Sequence, residues 1–272
     1  MSFIDELDPK TRQDYEEFLK YQQTAVATLK ALAEVCDKNN IRYYVTYGSL
    51  IGLIRHGGQI PWDYDIDVWV PMCESQKLMD ALDKELQGRY HYTTRLKDKK
   101  CRTFTLKLAP IEYDPEVLHV DVFWVGKAPD DPSKCSKMGE LGFKYYYLMM
   151  RKYGDARYLD HKGTINKLKY AIKRLPAKLT SAKKIDREWM ELVGNDFDGA
   201  DQISDSFYVF PKEQLEPAAD FTAEDGFTYK IPADSDSILR GYYGDYMQLP
   251  DRESQIKEFE KALARLKSKA RL

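Results

Sequence analysis

Three carboxylates and a glycine–serine pair are the residues whose types and spacing could do chemistry. Tyr47-Gly48-Ser49 is followed, after residues 50–64, by Asp65-Ile66-Asp67. In an extended strand alternate side chains share a face, so Asp65 and Asp67 project together. Two adjacent carboxylates repel unless a cation or a shared proton lies between them. A hard divalent ion, Mg2+ or Mn2+, takes one or two carboxylates and completes its shell with substrate phosphate and water. Gly48 lets backbone approach an anion, and Ser49 opens a helical stretch whose first N–H groups can cradle phosphate. A third acid, Asp121, stands inside the apolar run Leu118-His119-Val120-Asp121-Val122-Phe123-Trp124. A charge there is costly to bury unless it is paired or bound to metal. It would complete a two-metal site or take a proton from an attacking hydroxyl; the plain alternative is an acid pointing to solvent on an alternating strand. Together these are the parts of phosphoryl or nucleotidyl transfer.

The elements that must position them follow from the pattern. Asp8-Pro9 reads as a helix start, and apolar residues at Tyr15, Phe18, Ala25, Leu29, Leu32 and Cys36 recur at helical spacing until Asn39-Asn40. Residues 41–47 read as a strand, 50–55 as a short helix and 65–70 as a second strand, then a helix over about 74–87 and strands near 101–108 and 118–125. Beyond residue 140 the pattern turns mostly helical. The expectation is an α+β fold, a mixed sheet flanked by helices with a mostly helical C-terminal part. It forms one catalytic unit with a core over 1–130, a basic helical elaboration over 131–205 and a C-terminal part over 206–272.

Composition excludes several classes. Among 272 residues, 42 Lys or Arg face 44 Asp or Glu, a formal charge of −2, which argues against a nucleic-acid binder. No apolar run is long enough to span a membrane. The acidic start resembles no secretory signal, and the four cysteines are unpaired in spacing, so a reducing cytoplasm is expected. His91, His119 and His161 show no zinc or hydrolase spacing. Residues 151–187 hold twelve Lys or Arg against three Asp, a net of +9. There Ile165, Leu168, Ile172 and Leu175 form one stripe beside Lys167, Lys169, Lys173 and Arg174. That segment is either a solvated helical face or a contact with anionic lipid at the inner face of the membrane.

The string from Tyr47 to Asp67, YGSLIGLIRHGGQIPWDYDID, resembles the LicD family, and more broadly the DNA polymerase β-type nucleotidyltransferases. It departs from the usual family pattern at Tyr64, where a third consecutive Asp is common, leaving Asp65 and Asp67 in register. Phe104-Thr105-Leu106-Lys107-Leu108 and Tyr242-Tyr243-Gly244-Asp245-Tyr246-Met247-Gln248-Leu249-Pro250 extend the resemblance, whereas about 130–205 matches no family motif. The resemblance implies transfer of a substituted phosphate, phosphocholine or a polyol phosphate, from a CDP-linked donor to a hydroxyl of a cell-surface glycan precursor, in some settings lipid-linked. It implies that Gly48, Ser49, Arg55 and Lys107 meet donor phosphates, while Asp65, Asp67 and Asp121 hold metal and Asp121 acts as general base. His56, Trp62 and Asp245 are candidates for donor or acceptor contacts; a positional histidine, a wall and a helix-ending turn are their plainer readings. The same carboxylates would serve a nucleotidyltransferase using an NTP. A non-catalytic nucleotide or glycan binder would have no need of three clustered acids.

Overall fold

The computed structural model describes residues 7, 9–153, 172 and 174–269. Helix α1 (Pro9–Lys38) begins at the expected proline and buries Phe18, Ala25, Leu29, Leu32 and Cys36 along one face. Strand β1 is short (Tyr44–Val45), because Tyr47 takes a left-handed φ of 49° and already opens α2 (Tyr47–His56). Gly48 and Ser49 therefore lie in the first turn of a helix, one turn earlier than the apolar pattern suggests. α2 ends at Gly57, with φ 69°, the left-handed C-terminal cap that glycine accommodates. Within α2, a Cβ on Gly52 would stand 2.5 Å from the Gly58 carbonyl, so the returning loop packs directly on the helix backbone.

Strand β2 (Ile66–Pro71) runs through the core and leads to α3 (Ser75–Glu85), β3 (Tyr90–Thr94), β4 (Leu106–Pro110) and β5 (Val120–Lys127). The sheet order is β1-β2-β5-β4-β3. β2 and β5 are parallel, and their neighbours pair antiparallel. The fold is thus mixed α/β, as the alternation of strand and helix patterns requires. β3 escapes the sequence reading because its Tyr-His-Tyr-Thr-Thr run is half-exposed and carries no aliphatic alternation.

Among the described residues the later chain is mostly helical, as expected, with two short strand pairs that the pattern does not show. After α4 (Pro132–Cys135), α5 (Met138–Tyr153) and α6 (Ala182–Met190), strand β6 (Gln202–Ser204) adds to the end of β5 and pairs with β7 (Val209–Pro211). A separate hairpin follows, β8 (Ala219–Thr222) with β9 (Thr228–Ile231), before α7 (Ser235–Tyr243) and α8 (Arg252–Lys269). These four strands are three or four residues long, too short to show a period. The main core draws on residues from Leu7 to Leu266. Of the basic stripe, Ile165, Leu168, Lys167, Lys169 and Lys173 lie outside the described residues, whereas Ile172 and Leu175 are described and exposed.

Candidate active site

Strand β2 buries Ile66, Val68 and Val70 on one face and turns Asp67, together with the buried Trp69, to the other. The start of α2 is stitched to it. The Asp67 N–H donates to the Ser49 hydroxyl at 2.9 Å, that hydroxyl donates to the Asp65 carbonyl at 3.4 Å, and the Thr46 N–H donates to the Asp67 carbonyl at 3.0 Å. Ser49 thus sets the position of both acids from the buried side of the helix start. The preceding loop is clamped from α1 by Gln22, whose amide donates to the Ile60 carbonyl at 2.9 Å and to that of Asp63. The Asp63 carboxylate accepts the Asp65 N–H at 3.1 Å, and a Cβ on Gly48 would lie 3.4 Å from its Oδ2. The helix N-terminus and the acid cluster are therefore direct neighbours.

The parallel pairing of β2 with β5 sets Asp67 opposite Asp121, and the antiparallel pairing of β5 with β4 sets Asp121 opposite Lys107. One row across the sheet thus reads Asp67, Asp121, Lys107. Asp121 accepts from the Thr105 hydroxyl at 2.9 Å and from His119 Nε2 at 3.0 Å. His119 is buried, and its Nδ1 has no partner among the described residues. Lys107 is also buried and lies 3.6 Å from Glu116.

Asp121 shifts one way, and Asp67 and Asp63 the other. Burial acts to raise Asp121, yet His119, Lys107 and the hydrogen bonds from His119 and Thr105 hold it well below the usual carboxylate range. Burial pulls His119 down, so the neutral imidazole donates its Nε2–H to an ionised Asp121. Burial also lowers Lys107. Asp67 is pushed well above the ordinary value by burial and by Asp121, Asp65 and Asp63. Burial and the neighbouring Asp65 push Asp63 up to about 6. No described side chain hydrogen-bonds or ion-pairs the Asp67 carboxylate. An acid crowded by like charges in that position is stabilised when a cation joins it, which fits a divalent ion. Among the described residues, no three Asp, Glu, His or Cys side chains group closely enough to hold an ion by themselves. The donor set fits an ion shared by Asp67 and Asp121 and completed by phosphate oxygens and water, the usual habit of Mg2+. Asp65 sits beside them, half-exposed, with Arg265 Nη1 3.4 Å from its Oδ2.

Beyond Asp121 opens a cavity of about 450 Å3, lined by Lys107, Phe143, Tyr146, Tyr208, Tyr242 and Arg265 among others. Its wall is locked by Asp205, a buried carboxylate that accepts from the hydroxyls of Tyr47 and Tyr242 and from the N–H groups of Phe207 and Tyr208, each at 2.8 Å for the latter two. Asp205 ties the first residue of α2 to the last turn of α7.

The structure brings Gly48, Ser49, Asp65, Asp67, Lys107 and Asp121 together, and leaves four expected residues elsewhere. Arg55 sits near the far end of α2, where its guanidinium donates to the Tyr246 carbonyl at 2.6 Å and the Gln248 carbonyl at 3.4 Å. It braces the C-terminal loop rather than facing the acids. His56 stands edge-on to Trp62 with centroids 5.5 Å apart, and burial lowers its pKa. Trp62 is buried and walls a second groove with Asp63, Tyr64 and Asp65. Asp245 lies on the exposed turn after α7, while Tyr242 and Tyr243 of the same motif line the cavity. The sequence reading missed Asp63, Thr105, His119, Asp205 and Arg265. Strand alternation places His119 on the face of Asp121, which is a usable signal; Asp205 and Arg265 had none.

Known proteins resemble this chain over the same residues. Residues 40–146 match the profile described as LicD/FKTN/FKRP, nucleotidyltransferase domain, a span that contains Gly48, the four acids and Lys107. The chain is 25% identical over 241 residues to lipopolysaccharide cholinephosphotransferase LicD of Haemophilus influenzae, covering 81% of this chain and 88% of that protein. It is 42% identical over 43 residues to ribitol 5-phosphate transferase FKRP of Homo sapiens and of Mus musculus, 16% of this chain and 9% of those proteins.

Proposed function

The chain carries over residues 40–146 a domain of the LicD family, and from that premise we propose that it moves a substituted phosphate from a CDP-linked donor to a glycan hydroxyl with the help of a divalent ion. It is a transferase of substituted phosphate groups, in line with the two named relatives. The observation that carries the finer reading is the row Asp67, Asp121, Lys107 across three paired strands, beside the first turn of α2. Asp67 and Asp121 would hold Mg2+, which supplies neutralisation of charge on the phosphate oxygens. The first N–H groups of α2, which have no carbonyl partner within the helix and no side-chain cap from Thr46, offer the donor diphosphate a helix N-terminus. Lys107 adds positive charge at the edge of the cavity.

In the transfer, the acceptor oxygen forms a bond to the donor's outer phosphorus as the bond to the bridging oxygen breaks. CMP leaves with that electron pair, and the hydroxyl proton passes to a nearby carboxylate or water. Asp121 is ionised and able to accept it, but its stabilised anion makes it a weak base. Phosphoryl transfer through a loose transition state depends mainly on positioning and charge, so a weak base suffices.

A lipid-linked glycan acceptor is part of this reading, and an exposed apolar face supports it. Ile172, Leu175 and Leu179 are 64%, 55% and 78% exposed, spaced for one helical face, with Arg174 and Lys178 beside them. No described helix is long and apolar enough to cross a membrane. Incubation with CDP-choline or with CTP, each with Mg2+, tests the reading. CMP from the first supports it; pyrophosphate from the second without CMP from the first supports a nucleotidyltransferase instead.

A further inference from the structure

The C-terminal helix carries a cation into this site from outside the matched domain. α8 is fixed to α1 on both sides of that residue. Phe259, Leu263 and Leu266 are buried, Phe259 meets Phe18 and Tyr15 at centroid distances of 5.1 and 5.5 Å, and Lys267 pairs with Asp14 at 2.6 Å. Arg265 is thereby presented to the start of β2, 3.4 Å from Asp65 and with its guanidinium 6.0 Å from the Tyr64 ring centroid. It borders the aromatic cavity that holds Lys107 and Asp121, and also the groove formed by Trp62, Asp63 and Asp65. Its side chain is 47% exposed. A separation of 3.4 Å is long for a charge-assisted hydrogen bond, which closes to ~2.7–2.9 Å, so Asp65 holds the guanidinium loosely. The planar fork of an arginine matches phosphate oxygens in pairs.

We propose that Arg265 is a phosphate-binding residue of the transfer site, exchanging Asp65 for oxygens of the donor's outer phosphate when donor and divalent ion bind. This rests on the reading of the site as one for a CDP-linked donor. Asp65 is one of the resting contacts that keep the guanidinium at the mouth of the cavity, and a cation arriving at the acids weakens that contact. The outer phosphate is the group that moves, so Arg265 contacts the reacting atoms and is a catalytic residue.

The test compares binding of CDP, whose terminal phosphate stands for the transferred one, with binding of CMP, which lacks it. Calorimetry with Mg2+ is run on the wild type, Arg265→Ala, Arg265→Lys and Lys257→Ala. Lys257 lies exposed on the same helix, away from both the cavity and the groove. Arg265→Ala should bind CDP about tenfold more weakly or worse, with CMP affinity unchanged. Arg265→Lys should recover part of the loss, and Lys257→Ala should behave as wild type. Equal CDP binding by Arg265→Ala, or a parallel loss of CMP, would overturn the assignment and leave a structural role. If the wild type binds no CDP, the reading of the site falls and the assignment falls with it.

Discussion

Replacing Asp63 with Asn should stabilise the metal-free chain, and the gain should depend on pH in a defined way. Asp63 is pushed up from 3.8 to about 6 by burial and by Asp65. A raised carboxylate binds more protons folded than unfolded between those two values, so its contribution to stability falls as pH rises through that window. A shift of about two units at ~1.4 kcal/mol per unit sets an upper bound of roughly 3 kcal/mol. Asn keeps an oxygen to accept the Asp65 N–H, now made at 3.1 Å, and removes the charge. Asp63 and Asp67 repel one another, so the gain will be shared between them rather than additive. Unfolding in EDTA, followed from pH 4 to 8 for the wild type and Asp63→Asn, isolates the group by difference. The two curves should meet near pH 4 and separate to a plateau above pH 6, with a midpoint shift on the order of 2–4 °C per kcal/mol. Mg2+ should narrow the gap by neutralising the cluster. A gap independent of pH, or a variant less stable than the wild type at pH 8, would refute the placement of Asp63 in a charged, buried cluster.

The other acid titrates the opposite way. His119→Ala removes a buried donor from Asp121 and should cost roughly 1.5–3 kcal/mol in urea unfolding at pH 7. Because Asp121 lies below its ordinary value, that loss should shrink as pH falls through the acid range, and an undiminished loss at pH 3 would contradict the pairing. Asp67→Asn should abolish turnover with the fold intact, and activity near the wild-type rate would remove its metal role. If Ile172, Leu175 and Leu179 meet lipid, the chain should co-sediment with anionic vesicles at low salt and not at 1 M, where the Debye length falls to ~3 Å. Substituting all three with Asp should release it, and a wild type that stays in the supernatant leaves those residues solvated.

Much of the site was legible because its logic is local. Alternation puts Asp65 and Asp67 on one face, and an isolated acid in the Leu118–Trp124 run must have partners; the structure supplies them as Thr105, His119 and Lys107. The register that sets Asp67 beside Asp121 was not legible, because it depends on a crossover through α3, β3 and β4. Helix geometry could have excluded Arg55 from the phosphate end. Residues seven apart on a helix stand ~10 Å apart along its axis, and Gly48 lies at the other end of α2. Asp205 and Arg265 reach the site from β6–β7 and α8, whose sequences carry no chemistry of their own until packing delivers them. The same is true of Gln22, a polar residue on the inner face of α1 that clamps the loop before Asp63.

The central claim is that Asp67 and Asp121 bind a divalent ion together with a nucleoside diphosphate. Titrating CDP into the wild type with Mg2+, into the wild type in EDTA, and into Asp67→Asn with Mg2+ tests it without knowing the transferred headgroup. The account predicts tight binding only in the first case, with the other two weakened to a similar degree. Equal affinity for CDP in Mg2+ and in EDTA would contradict it.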